Sequence, residues 1–254
     1  MAVSGFSLFR PPHLNCSRSR PYLASNRATP SATSCSSTSS TLPKALIEIQ
    51  KSGLIACLRA KDADMAMKAA CAALSGGISV LEIVMSTPGV LEVIKTLCKE
   101  YPSLTFGVGT VLNAEDARKA VKAGAQFLMS PGTVMEILCD HESREVLYIP
   151  GVMTPTEVLF AYNAGAQIVK VYPVSLLGGQ KYISALKRPF AHIPMVASQG
   201  IATGSVGGYI EAGASAVVLS DAIFEKDAMR RRNFGEIERL AYLATLQTCQ
   251  ARKR

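Results

Sequence analysis

The sequence predicts an α/β fold, a parallel (β/α)8 barrel of the TIM type forming a single domain, and three observations carry that expectation. Eight short apolar runs follow one another after residue 52 and alternate with stretches of helical periodicity. A weak internal repeat recurs in which a small-residue turn ends a helix and feeds a strand: SGGISVLEIV at 75–84, AGAQFLMSPG at 123–132, AGAQIVKVYP at 164–173 and AGASAVVLSD at 212–221. Its glycines Gly77, Gly124, Gly165 and Gly213 stand 47, 41 and 48 residues apart. Finally, 254 residues at 48% hydrophobic content match one large core of this size. A doubly wound open sheet is the alternative; the count of eight and the lack of a GxGxxG after the first run favour the barrel.

In chain order, residues 1–42 are rich in Ser and Thr, contain Arg10, Arg18, Arg20 and Arg27, and have no acidic residue, none occurring before Glu48. That is the composition of a disordered transit peptide, with a plastid (chloroplast) as the expected address and a mitochondrion second. The barrel is expected over 43–254. The first run, GLIACLRA at 53–60, ends in Arg59 and precedes a helix started by Asp62, with apolar Ala63, Met65, Ala66, Ala69, Ala70 and Ala73 on one face. The second, at 75–84, carries Glu82. The third, LTFGVGTVL at 104–112, ends at Gly109-Thr110 and precedes a helix opened by Asn113 with Asp116 at its third position. The fourth ends in Ser130-Pro131-Gly132. The fifth, LYIPGV at 147–152, leads into Thr154-Pro155-Thr156-Glu157, where Thr caps, Pro occupies the first turn and Glu closes a capping box. The sixth carries Lys170, the seventh, IPMVASQG at 193–200, ends at Ser198-Gln199-Gly200, and the eighth ends at Ser220-Asp221.

Charge and cysteine usage narrow the function classes. The net charge of +8 falls to +4 without the four leader arginines, and no aromatic-interleaved basic stripe remains, so no nucleic-acid partner is expected. No run of about 18 apolar residues marks a membrane span. Cys16 and Cys35 lie in the leader; Cys57, Cys71, Cys98, Cys139 and Cys249 are widely spaced, without a CxxC pair, and read as small buried hydrophobes of a reducing compartment. His13, His141 and His192 have no second histidine at metal-site spacing, so no metal is expected.

Barrels of this kind do chemistry at the C-terminal ends of their strands. There, Lys170 sits in the apolar string Gln167-Ile168-Val169-Lys170-Val171-Tyr172-Pro173 and Glu82 in Val80-Leu81-Glu82-Ile83-Val84. An ammonium on a buried strand is costly unless it is paired, hydrated or used as a neutral amine able to form a Schiff base with a carbonyl. By residues alone two readings stand: a lysine that snorkels to water, or pairs with Glu82 as a buried ion pair, and a nucleophile whose protons Glu82 shuttles.

The strings GGISVLEIVMST around Glu82, GVGTVLNAEDARKAVKAGAQFLMSPG at 107–132, IPGVMTPTE at 149–157 and AGAQIVKVYP around Lys170 resemble the class I 2-keto-3-deoxy-6-phosphogluconate (KDPG) and 4-hydroxy-2-oxoglutarate (KHG) aldolases, in a plant plastid-type form. The resemblance runs from about Lys44 to about Phe224. It implies that Lys170 is the Schiff-base lysine and Glu82 the general acid/base, that Thr110 helps hold the pyruvate part, and that Pro131 and Tyr172 wall the site, where the family more often has Phe than Tyr172. The implied reaction is reversible cleavage of a 4-hydroxy-2-oxo acid to pyruvate and an aldehyde, with no cofactor beyond the covalent imine on Lys170, in a homotrimer.

Departures from the family pattern concern the substrate. The arginine usual four residues after the glutamate is Ser86 here, which leaves Arg59 to supply the charge for a carboxylate. Where phosphogluconate-type members have consecutive glycines this chain has Gln199-Gly200, and a serine is replaced by Asp221, which would repel a phosphate or else cap a helix. A 2-oxo acid decarboxylase acting on oxaloacetate through the same lysine, and a non-catalytic metabolite-binding barrel, are the alternative functions.

Overall fold

A computed structural model describes residues 43–140 and 146–253. The leader, with His13, Cys16 and Cys35, and also His141, lie outside the described residues. Among the described residues, nine parallel strands form one sheet: β1 (Leu54–Leu58), β2 (Val80–Val84), β3 (Thr105–Gly109), β4 (Phe127–Met129), β5 (Leu147–Ile149), β6 (Gly151–Val152), β7 (Val169–Val171), β8 (Met195–Ser198) and β9 (Ala216–Leu219). Their order is β5-β4-β3-β2-β1-β9-β8-β7-β6, so the two edge strands are neighbours in the chain, separated by Pro150 alone. The sheet therefore returns on itself as a barrel, which excludes the open doubly wound arrangement.

The predicted fifth strand is corrected: it is not one continuous strand but two, β5 and β6, broken at Pro150. Proline has no N–H to give to a ladder. Ile149 still accepts from the Ser130 N–H at 3.3 Å on one side, and the Pro150 carbonyl accepts from the Lys170 N–H at 2.8 Å on the other. The break hands the strand from β4 to β7 and ties Lys170 to the barrel's closure.

Beside α1 (Lys44–Ser52), the helices around the sheet are α2 (Ala63–Ser75), α3 (Val90–Glu100), α4 (Ala114–Lys122), α5 (Met135–Cys139), α6 (Pro155–Asn163), α7 (Gln180–Lys187), α8 (Val206–Glu211), α9 (Lys226–Arg231) and α10 (Phe234–Arg252). The three start signals act as predicted. Asp62 accepts from the Met65 N–H at 2.7 Å and Asn113 from the Asp116 N–H at 2.8 Å, while Thr154 and Glu157 form the reciprocal capping box. The four repeat glycines all hold φ between +95° and +106°, the left-handed backbone that lets each helix turn back into the next strand.

Alternation along the strands sorts the core into two parts. Outward residues such as Leu81, Ile83, Phe106, Val108 and Leu128 pack under the helices. Inward residues Ile55, Val80, Phe127, Met129, Leu147, Ile149, Ile168, Val196, Ala216 and Val218 fill the barrel, joined by Ala45, Leu46 and Ile49 of α1, which plugs the interior from the strands' N-terminal end. Among the described residues, no helix is long and apolar enough to cross a membrane.

Candidate active site

The C-terminal end of the barrel is left open. Glu82 and Lys170 occupy the inward positions one step above Val80 and Ile168, and both are buried, at 3% and 6% exposure. Glycine stands in register beside each of them: Gly107 pairs with Glu82 across β2 and β3, and Gly151 with Lys170 across β6 and β7. Gly109, the next inward position on β3, is required for the carboxyl itself, since a Cβ there would lie 1.4 Å from Glu82 Oε1. The missing side chain at Gly109 thus makes the room into which the acid projects, while Gly107 gives place to the Phe127 ring and Gly151 to the Pro131 backbone.

Electrostatics follow from this geometry. Burial pushes the Glu82 carboxyl above its ordinary range, opposed in turn by the positive charge of Lys170, a side-chain hydrogen bond with Cys57 and the charge of Arg59. No ion pair of 4.0 Å or less locks Glu82 to Lys170. The two charges therefore act across the cavity instead of neutralising each other in contact, which removes the simple buried-ion-pair reading. The Lys170 ammonium lies 5.5 Å from the centre of the Tyr172 ring, within cation–π range. A carboxyl raised above its usual range in the same cavity as an amine suits proton transfer.

All nine predicted site residues, Arg59, Glu82, Thr110, Pro131, Lys170, Tyr172, Gln199, Gly200 and Asp221, line one cavity of about 480 Å³. Ser86 is exposed and does not line it. Two non-glycine residues at the rim hold left-handed backbone, Thr110 at φ +57° and Gln199 at φ +85°. For a β-branched residue this conformation is strained and persists only where neighbours fix it. Around Thr110 they do: the Gly109 carbonyl accepts from the Met85 N–H at 2.7 Å, and the Val111 carbonyl accepts from Ser130 Oγ at 2.5 Å, which in turn accepts from Tyr148 OH at 3.0 Å. Gln199 is held by Ser175 Oγ, which donates to its Oε1 at 2.6 Å.

Asp221 is no helix cap. Glu225 caps α9, accepting from the Asp227 and Ala228 N–H groups at 3.0 and 2.7 Å, while Asp221 stands in the turn after β9 with Lys226 at 3.8 Å. Both members of that pair are well exposed, so it is screened and leaves a carboxylate at the distal rim. Cys57 and Ser198 also face the cavity and were not predicted. Their signal was parity, for each lies two residues before a predicted site residue, Arg59 and Gly200. Among the described residues, no group of three or more His, Cys, Asp or Glu gathers as metal ligands.

Comparison with known proteins gives this geometry its family. The profile of the family described as KDPG and KHG aldolase matches residues 47–240. The chain belongs to the KDPG and KHG aldolase family. Membership makes it a class I aldolase, a carbon–carbon lyase, as the resemblance in the sequence implied. It is 31% identical over 167 residues to the 2-dehydro-3-deoxy-phosphogluconate aldolase of Pseudomonas aeruginosa, covering 66% of this chain and 76% of the relative. To the KHG/KDPG aldolase of Escherichia coli K12 it is 28% identical over 181 residues, covering 71% and 85%. A crystal structure of the KDPG aldolase from Legionella pneumophila, with pyruvate captured as a covalent carbinolamine intermediate, superposes with a TM-score of 0.72 at 26% identity over 78% of this chain and 97% of that one.

Proposed function

We propose that this aldolase works through an imine on Lys170, with Glu82 moving the protons, on a 4-hydroxy-2-oxo acid whose distal end carries no phosphate. The observation that carries the reading is the placement of Lys170 and Glu82, buried yet unpaired in contact, in one cavity. Lys170 Nζ adds to the C2 carbonyl; the carbinolamine loses water to the iminium. Glu82 then takes the proton of the C4 hydroxyl as the C3–C4 bond breaks, the electron pair passing into the iminium to leave an enamine and release the aldehyde. Protonation at C3 by Glu82 and hydrolysis return pyruvate and the free amine. Arg59 is the cation left on the rim to meet the substrate carboxylate, Thr110 holds the pyruvate end, and Pro131 and Tyr172 wall it.

The Asp221 carboxylate supports the unphosphorylated substrate, because it puts a negative charge on the cavity lining, where a dianion would need N–H donors. Comparison of kcat/KM for phosphorylated and unphosphorylated 2-oxo acids tests this. Preference for the unphosphorylated acid is expected, and a strong preference for the phosphorylated one refutes it. Ser86, which stands where the family usually has an arginine, supports a second substrate with a different charge layout, since decarboxylation of oxaloacetate needs the same electron sink. Product analysis with oxaloacetate separates the two.

A homotrimer is part of the proposal. It is supported by large apolar side chains left exposed on neighbouring elements, Met153 after β6, Leu159 and Phe160 on α6 and Leu176 after β7. Sedimentation at micromolar concentration is expected to give three chains per particle. Plastid import directed by residues 1–42 is proposed from their composition and is tested by fusing them to a fluorescent protein in plant cells.

A further inference from the structure

Among the cysteines of the described residues, Cys57 alone lines the cavity. The Cys98 thiol is spent on the Gly124 carbonyl at 3.3 Å, and Cys71 accepts from Tyr101 OH at 3.9 Å, both away from the site. Cys57 is the inward residue of β1 at the level of the chemistry, and its Cα is the register partner of Glu82 on β2. On the opposite side, Glu82 Oε1 lies against the backbone of Gly109. Glu82 thus stands between Cys57 on one neighbouring strand and bare backbone on the other. The burial that surrounds Cys57 and the adjacent carboxylate push its thiol well above its ordinary value, so it stays protonated, a hydrogen-bond donor and no nucleophile.

We infer that Cys57 is a positioning residue for the reaction, its S–H holding the Glu82 carboxyl so that it faces the amine across the cavity. The inference rests on the proposed aldolase mechanism. The charged and titratable groups around Glu82 are Arg59 and Cys57 from β1 and its end, Lys170 from β7, Tyr172 beyond it and Asp221 after β9; β3 offers only Gly107 and Gly109. Of these, Cys57 is the uncharged donor standing in register beside Glu82 on the neighbouring strand. A donor to the charged carboxylate favours ionisation, so its loss moves the titration of Glu82 upward.

Cys57→Val keeps the volume and removes the donor, whereas Cys57→Ser keeps a donor. In Cys57→Val, kcat is expected to fall about 10-fold, with the acid limb of the pH profile moved up by roughly 0.5–1 pH unit and KM changed less than about twofold. Cys57→Ser is expected to return the limb most of the way. Borohydride trapping of pyruvate is expected to label wild type and Cys57→Val alike, because Lys170 is untouched. If wild type traps pyruvate and Cys57→Val keeps the wild-type kcat and pH profile, the positioning role is overturned. If Cys57→Ser is as impaired as Cys57→Val with the same limb, packing and not donation is the cause, and the role is equally overturned. Failure of wild type itself to trap pyruvate refutes the aldolase mechanism instead.

Discussion

Two levels of one barrel interior, a single strand step apart, do opposite work. At the lower level the inward side chains are Ile55, Val80, Ile168 and Val196; two residues further along the same strands they are Cys57, Glu82, Lys170 and Ser198. Period-two alternation repeats the inward direction at both levels, so only residue type distinguishes a dry core from a reactive cavity. The lower level is closed by α1 and packed around Phe127 and Met129, while the upper one opens into the cavity, with Gly109 leaving the place of the Glu82 carboxyl. A close-packed floor holds the strands, and the strands hold two buried, costly charges at the cavity.

Substitutions at the two levels should separate accordingly. Lys170→Ala should abolish turnover by at least about 1,000-fold and leave the thermal transition unchanged or raised, since it removes a desolvated ammonium. Phe127→Ala, at the floor, should cost about 3–5 kcal/mol of unfolding free energy in denaturant titration, with kcat per folded molecule nearly unchanged. Gly109→Ala should cut kcat about 100-fold by driving the Glu82 carboxyl aside, with a smaller stability loss of about 1–3 kcal/mol. A Gly109→Ala protein that keeps its kcat would separate Glu82 from the proton transfers.

Acid–base behaviour sharpens the same contrast with a smaller effect. Burial raises the Glu82 carboxyl, so as pH falls the base is protonated earlier than an ordinary carboxylate of about 4.3 would be. The acid limb of kcat/KM is therefore expected above that value, and Glu82→Gln should lose the limb together with most of the activity. A limb at the ordinary carboxylate position would mean that solvent reaches Glu82 freely.

Much of this was legible in the residues. Turn glycines, capping signals and eight apolar runs were enough for the barrel, because each is a local preference that agrees with the topology. The break at Pro150 was also written locally, in the missing N–H, although its consequence depends on which strands flank it. Helix α1 carried no such signal, because its apolar Ala45, Leu46 and Ile49 acquire meaning only as the plug of an interior built by distant strands. Lys170 and Glu82 stood out as charges in apolar strings, and the nine predicted residues meet in one cavity. Cys57 did not stand out, since a cysteine in a strand looks like an ordinary small hydrophobe until its register with Glu82 is known. The need for glycine at 109 was hidden for a similar reason: it is set by a side chain on another strand.

The account centres on Lys170 as the nucleophile, and borohydride reduction of the full chain in the presence of pyruvate tests it most directly. Peptide mass measurement should find one reduced pyruvate on Lys170, absent from Lys170→Ala. An intact, folded protein that gains no adduct, or gains it on another lysine, would contradict the account.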